Sequence, residues 1–315
     1  MKLCTYTLND SKKDLIGVLL DNKILNLNNF FGEISLKNLL AIVNWKSKVE
    51  EFVKENSNKL TPLDQVSLKS PIPNPNSFRD AYAFKQHVET SRRNRGVEMI
   101  KEFDDFPVFY FSNHNAIFAT NEDIKCMPEH FDKLDYELEF AIVIGKEGEN
   151  ISVKNASEYI AGYMILNDLS ARGMQMKEMK LNLGPAKGKD FASVLGPYLT
   201  TPDELEKNIV SKNELGTKFD LEMRCYLNDE LLSSGNTKEM HWSFEQIIER
   251  ISYGVKLFPG DIIGSGTVGT GCLLEINGTN KLADTSYSEK WLKDGDIVCM
   301  KIDQLGKIEN KIISK

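Results

Sequence analysis

Leu134-Asp135-Tyr136-Glu137-Leu138-Glu139-Phe140-Ala141-Ile142-Val143-Ile144-Gly145 is an apolar, β-branched run with carboxylates set inside it. The run reads as a strand, and a strand sends residues i and i+2 to the same face, so Glu137 and Glu139 point together. Two adjacent anions in a half-buried strand repel each other and lose hydration, and protonation or a shared cation relieves both penalties. An all-oxygen donor set suits Mg²⁺ or Ca²⁺, since zinc prefers cysteine and histidine. An edge strand with a solvated polar face is the competing reading of this segment by itself.

Around this run lies a chain of 315 residues, 41% of them hydrophobic, enough for a full core in one large domain or one large and one small. The formal charge of −7 opposes phosphate-backbone binding, and no nucleic-acid partner is expected. Cys4, Cys126, Cys225, Cys272 and Cys299 are odd in number, scattered and form no C-x-x-C pair, so neither a disulfide framework nor a zinc site is expected. The N-terminal residues lack the apolar core of a signal peptide, and nowhere do apolar residues run long enough to span a bilayer. A soluble, cytoplasmic protein with no membrane partner is the expectation.

Residues 14–27 read as two short strands around an Asp21-Asn22 turn, and Leu36–Val53 reads as a helix. Pro62, Pro71, Pro73 and Pro75 then favour an extended connection, which places a boundary between a small N-terminal α+β domain, 1–70, and a larger domain, 71–315. Strands are expected at Ala116–Ala119, Glu137–Ile144, Ala161–Asn167, Leu221–Leu227, Asp261–Ile263, Leu273–Ile276 and Ile297–Ile302. Helical stretches are expected at Ala156–Tyr159, Thr201–Lys207 and Ser243–Tyr253. So few βαβ alternations favour a β-rich α+β architecture over a doubly wound sheet.

Asp168 follows the apolar strand residues Ile165 and Leu166 into a polar turn, a setting that fixes a carboxylate yet leaves it accessible. A helix N-cap is the alternative for an Asp before Ser170-Ala171-Arg172. Joined to Glu137 and Glu139, Asp168 would complete half of an octahedral oxygen shell. His87, just after the proline connection, is the best candidate base of the four histidines, but a base needs an orienting carboxylate. Gly264-Ser265-Gly266-Thr267-Val268-Gly269 spells a dinucleotide fingerprint, yet Thr270–Ile276 reads as a strand where a helix should begin. Gly184–Asp190 approaches a phosphate loop, but its glycine spacing is one short and Asp190 stands where Ser or Thr binds Mg²⁺.

Taken in order, Asp80 with His87, Glu137-Leu138-Glu139, Asn167-Asp168-Leu169-Ser170-Ala171-Arg172, Gly188-Lys189-Asp190-Phe191 and Pro259–Thr267 resemble the fumarylacetoacetate hydrolase family over about residues 70–305. The resemblance implies a mixed β-sandwich roll holding Mg²⁺ or Ca²⁺ between Glu137, Glu139 and Asp168, with Asp80 matching a fourth ligand of the fumarylacetoacetases. It implies that His87 is the general base and Glu275 the carboxylate that orients it. Arg172, Gln175 and Lys189 fall on positions that stabilise developing negative charge, and Tyr82, Tyr110 and Thr267 near substrate-contacting ones. The implied activity is metal-dependent hydrolysis of a carbon–carbon bond in a small anionic 1,3-dicarbonyl acid, in a homodimer. The resemblance leaves as alternatives decarboxylation of 2-oxo diacids of the oxaloacetate type, dehydration of sugar acids and isomerisation on the same scaffold, and, last, a non-enzymatic metal- or small-acid-binding protein. Residues 84–104 carry Lys85, Arg92, Arg93 and Arg95 with no continuous apolar face, and are expected to form a mobile lid over an anionic ligand.

Overall fold

Strand Leu138–Ile144 lies inside a twelve-stranded sheet in the computed structural model, which describes residues 1–56 and 59–315. Its main path runs Leu60–Pro62, Lys23–Asn26, Leu15–Leu20, Lys2–Leu8, Ser193–Thr200, Ile160–Asp168, Leu138–Ile144, Ile262–Gly264, Phe78–Ala81, Phe109–Ser112. Neighbours on this path are antiparallel except Ile262–Gly264 with Phe78–Ala81, which run parallel. A second sheet of five strands orders Glu230–Asn236, Glu222–Leu227, Ile297–Ile302, Gly306–Ser314, Ile124–Cys126. The protein is thus β-rich α+β.

Side-chain alternation divides the interior in two. Leu134, Tyr136, Leu138, Phe140, Ile142 and Ile144 enter a large core shared with Met223, Cys225, Val298 and Met300 of the five-stranded sheet. Phe140 stacks on Tyr163 at 5.2 Å and meets Phe244 edge-on, aromatic contacts that each add about 0.5–1.5 kcal/mol beyond area burial. Ala141 and Val143 face a second core with Met164, Leu166, Phe78 and Ile262, closed by Leu36, Leu39, Leu40 and Val49 from the N-terminal helices. Going towards the other end of that second face, the same strands carry Glu139, Asp168 and Asp80 in place of hydrocarbon. One face of one sheet therefore changes from oily to acidic along its length.

The N-terminal hairpin turns at Asp21-Asn22 as expected, with Leu20 paired to Lys23 and Asp21 at φ 52°. Its neighbour Lys2–Leu8 pairs with Ser193–Thr200, so the first residues extend the main sheet. Ser193–Thr200 itself escapes sequence reading because Pro197 argues against an interior strand. The ladder shifts register between Tyr163 and Ile165, opposite that proline, and so accommodates it.

Three expectations are corrected. The Leu36–Val53 helix is two helices, Leu36–Leu40 and Trp45–Asn56, separated where Asn44 takes a left-handed φ of 56°. Leu273–Ile276 is the first turn of a helix, Leu273–Ala283, whose leading amides are capped from outside the segment. Residues 84–104 do have inward contacts: Lys85–Asn94 is a helix that buries His87, Val88 and Thr90, and Phe103 returns to the core. A ten-residue helix needs only a few inward side chains to dock, which is why its polarity misleads.

Candidate active site

The acidic end of the sheet gathers Asp80, Glu137, Glu139 and Asp168, whose carboxylate oxygens lie within 4.8 Å of one another. Asp80 comes from strand Phe78–Ala81, Glu139 from the central strand, Asp168 from the last position of Ile160–Asp168, and Glu137 from the link just before Leu138. All are buried, Glu139 and Asp168 completely. Lys189 bonds Glu137, and reaches Asp168 at 2.6 Å; Arg172 reaches Glu137 at 2.6 Å and Asp135 at 2.9 Å. Two buried cations against five buried carboxylates leave negative charge uncompensated.

The titrations express that imbalance. Burial, reinforced by Asp168, pushes Asp80 up to about 7, and burial with Asp80 beside it pushes Glu139 well above the ordinary carboxylate range. Burial opposes ionisation of Glu137 too, but Lys189 and Arg172 overcome it and hold that carboxyl below its ordinary value. Glu139 Oε1 has no hydrogen-bond partner among the described residues, while Oε2 accepts the Gly266 amide at 3.0 Å. A buried carboxylate oxygen without a donor, among three further carboxylates, fits a hard divalent cation held by oxygen.

The Gly264–Gly269 segment belongs to this cluster. It does run from a strand through a glycine loop to a helix, so the ground for rejecting a dinucleotide loop is corrected. Its Gly266 amide faces carboxylates, Asp80 Oδ1 at 3.1 Å and Glu139 Oε2, where a phosphate site would present its amides to an anionic ligand. Gly266 sits at φ 77°, and a Cβ there would press on the Ala81 carbonyl. Gly266→Ala is expected to lower unfolding stability by about 1–3 kcal/mol in a denaturant titration. A wild-type midpoint would show the loop to be slack.

Beside the carboxylates stands a second pair. His87 Nδ1 lies 2.6 Å from Glu275 Oε2, both side chains buried, the first on helix Lys85–Asn94 and the second on helix Leu273–Ala283. The helices are tied by Asn94 Nδ2, which donates to the Glu275 carbonyl at 3.0 Å. The Glu275 carboxylate accepts a hydrogen bond from Nδ1–H, which leaves Nε2 as the free nitrogen of His87. Tyr82 meets the imidazole edge-on at 5.9 Å.

His87, Asp80, Glu137, Arg172, Gln175 and Lys189 open onto one cleft of about 660 Å³. Tyr82, Tyr110 and Thr267 line it as well, and Tyr110 donates to Asp168 at 2.7 Å. Gln175 Oε1 accepts from Arg172 at 2.9 Å, so its amide NH₂ is left to a ligand. Val108, Met176, Leu282 and Trp291 add apolar side chains to its lining. Every predicted site residue converges here except Glu275, Glu139 and Asp168, which stand one layer behind the cleft surface.

Sequence reading misses Asp135. Its carboxylate accepts the Leu273 amide at 2.7 Å and the Leu274 amide at 3.0 Å, and pairs with Arg172. It thereby starts the helix that carries Glu275. The signal was present: Asp135, Glu137 and Glu139 follow one another at spacing two on one face.

Comparison with known proteins identifies the family. The profile of the fumarylacetoacetate (FAA) hydrolase C-terminal region matches residues 76–313. The fumarylacetoacetate hydrolase domain-containing protein 2 homolog of Dictyostelium discoideum is 28% identical over 99% of this chain and 97% of its own length. Oxaloacetate tautomerase YisK of Bacillus subtilis is 29% identical over 89% of this chain and 83% of its own. The structure of maleylpyruvate hydrolase from Sphingobium sp. SYK-6, solved with manganese(II) and pyruvate, shares the fold with a TM-score of 0.73 and 20% identity, over 100% of this chain and 99% of its own. Within the described residues no helix is long and apolar enough to cross a membrane. The chain belongs to the fumarylacetoacetate hydrolase family.

Proposed function

We propose that the protein is a metal-dependent hydrolase that cleaves a carbon–carbon bond in a small anionic 1,3-dicarbonyl acid of the fumarylacetoacetate or acylpyruvate type. The buried His87–Glu275 pair carries this reading, because it sets an oriented base on the same cleft as the carboxylate cluster. Mg²⁺, Ca²⁺ or Mn²⁺ held by Asp80, Glu137, Glu139 and Asp168 would supply Lewis-acid polarisation of the substrate's oxygens. Glu275 holds the Nδ1 proton of His87, and Nε2 takes a proton from water. The resulting hydroxide attacks the acyl carbonyl, and the bond from that carbon to its neighbour breaks. The electron pair leaves on the carbon beside the 2-oxo acid, and His87 returns the proton to it.

Arg172 and Lys189 are held in place by their carboxylate partners, so their charge faces the reacting oxygens without reorganisation. Gln175, fixed by Arg172, offers its NH₂ to the same negative charge. Tyr82 and Thr267, which line the cleft, supply hydroxyl donors, and its apolar side chains suit the acyl portion of the substrate.

Keto–enol tautomerisation of oxaloacetate is the second reading, favoured by the name of the Bacillus subtilis relative. The same base would then move a proton between carbon and enol oxygen, with no bond between carbons broken. The two readings part in one assay: acetylpyruvate, fumarylpyruvate and oxaloacetate are each incubated with protein and Mg²⁺ or Mn²⁺, and products are identified. Hydrolysis yields pyruvate and the carboxylic acid in equal amounts from an acylpyruvate. Decay of enol-oxaloacetate to the keto form, with acylpyruvates untouched, would overturn the proposal in favour of the tautomerase.

A further inference from the structure

The geometry points to a second, softer cation site made of His87, Glu137 and Cys272, at which zinc binds and shuts off the base. The inference depends on the proposed role of His87. A ring nitrogen of His87, a carboxylate oxygen of Glu137 and the sulfur of Cys272 lie within 4.8 Å of one another, and all three side chains are buried. Imidazole, thiolate and carboxylate form a zinc donor set, while the adjoining all-carboxylate cluster suits hard ions. The two sites share Glu137 and divide incoming cations by hardness.

The hydrogen bond behind His87 is a second, independent indication. Histidines that bind zinc commonly give their other ring N–H to a carboxylate, which fixes the ring and strengthens the donor nitrogen. Glu275 stands at that place, 2.6 Å from Nδ1, and leaves Nε2 for the ion. Cys272 is the residue before helix Leu273–Ala283, so the helix that orients His87 through Glu275 also positions the sulfur. Donors in a tetrahedral zinc shell are roughly 3.5 Å apart, so the three side chains close by about 1 Å as the ion enters. Cys272 is a free thiol. On binding, its proton leaves to solvent as the S–Zn bond forms, and nothing is oxidised or reduced.

Zinc at this position takes the lone pair with which His87 would accept a proton. It also draws on Glu137, which Lys189 and Arg172 hold for the neighbouring cluster. Mg²⁺ and zinc compete for the shared Glu137, but Mg²⁺ does not take imidazole or thiolate, so zinc anchored by His87 and Cys272 should still inhibit when Mg²⁺ is saturating.

The test uses Co²⁺ as a spectroscopic stand-in for zinc, added to protein preloaded with Mg²⁺. A sulfur-to-cobalt charge-transfer band in the near ultraviolet is expected, displaced by Zn²⁺ and absent from Cys272→Ser and Cys272→Ala, with circular dichroism confirming that both variants are folded. The remaining cysteines are buried elsewhere and should give no band. In turnover assays at saturating Mg²⁺, the zinc concentration that halves activity should rise at least about tenfold in Cys272→Ser, each protein being compared with its own zinc-free rate. Absence of the band in the wild type, or its persistence in both variants, overturns the site. A protein that turns over no dicarbonyl would remove the functional proposal while the cobalt band still decides this one.

Discussion

His87→Ala is expected to lower kcat on an acylpyruvate by on the order of 10²–10⁴, the usual contribution of a positioned general base. Metal affinity should be retained, because the carboxylates that would bind the ion lie on other elements. Glu275→Gln should fall in the same direction, since the imidazole would lose the acceptor that sets its tautomer, 2.6 Å away. The double variant should be scarcely slower than His87→Ala, because groups that act as a unit are strongly non-additive. His87→Ala also strands a buried carboxylate, a penalty of roughly 1–3 kcal/mol or more, so melting must be followed beside kcat. Full activity in His87→Ala, or losses that multiply in the double variant, would sink the dyad and leave a reaction driven at the metal alone.

Glu139→Gln should have the next largest effect, and its two readouts should move in opposite directions. The wild-type carboxylate has one buried oxygen without a donor and three carboxylates around it. Isothermal titration with Mg²⁺ or Mn²⁺ should reveal one hard-ion site, weakened at least about 100-fold in the variant, beyond the 10–100-fold typical of residues that only support a ligand. In the metal-free protein the same change removes a buried, repelled carboxyl, and the melting temperature should rise. Wild type at 100 times its dissociation constant should gain about 2.7 kcal/mol from the metal, and the variant almost none. Unchanged affinity in Glu139→Gln would show that the cluster is not the cation site.

The acidic strand was legible because its chemistry is local: alternation alone puts Glu137 and Glu139 on one side. Asp168 and His87 stood out as candidates from their local settings, but Asp80 and Glu275 were legible only through resemblance, since these groups meet across strands and helices that spacing cannot connect. Leu273–Ile276 misled for a related reason. Its helix begins on a cap from Asp135, far away in the chain, and no residue within the segment announces that acceptor. Pro197 hid a strand because the irregularity that admits it lies in the pairing with Tyr163 and Ile165. In the 84–104 segment, Val88 and Phe103 anchor the chain, and too few apolar residues surround them to produce a visible period.

The alternation along Leu134–Ile144 also governs which kinds of inherited change the gene can absorb here. One inserted or deleted codon between Leu134 and Glu139 would turn the pleat over, driving carboxylates into hydrocarbon and Tyr136 or Phe140 into the carboxylate cluster. Exchange of one residue for another leaves the remaining side chains on their faces. Length in this stretch is therefore under tighter constraint than identity. Among descendants of this sequence, insertions should collect at solvent-facing turns such as Asn213–Gly216, where the exposed Glu214 and Leu215 join two short strands.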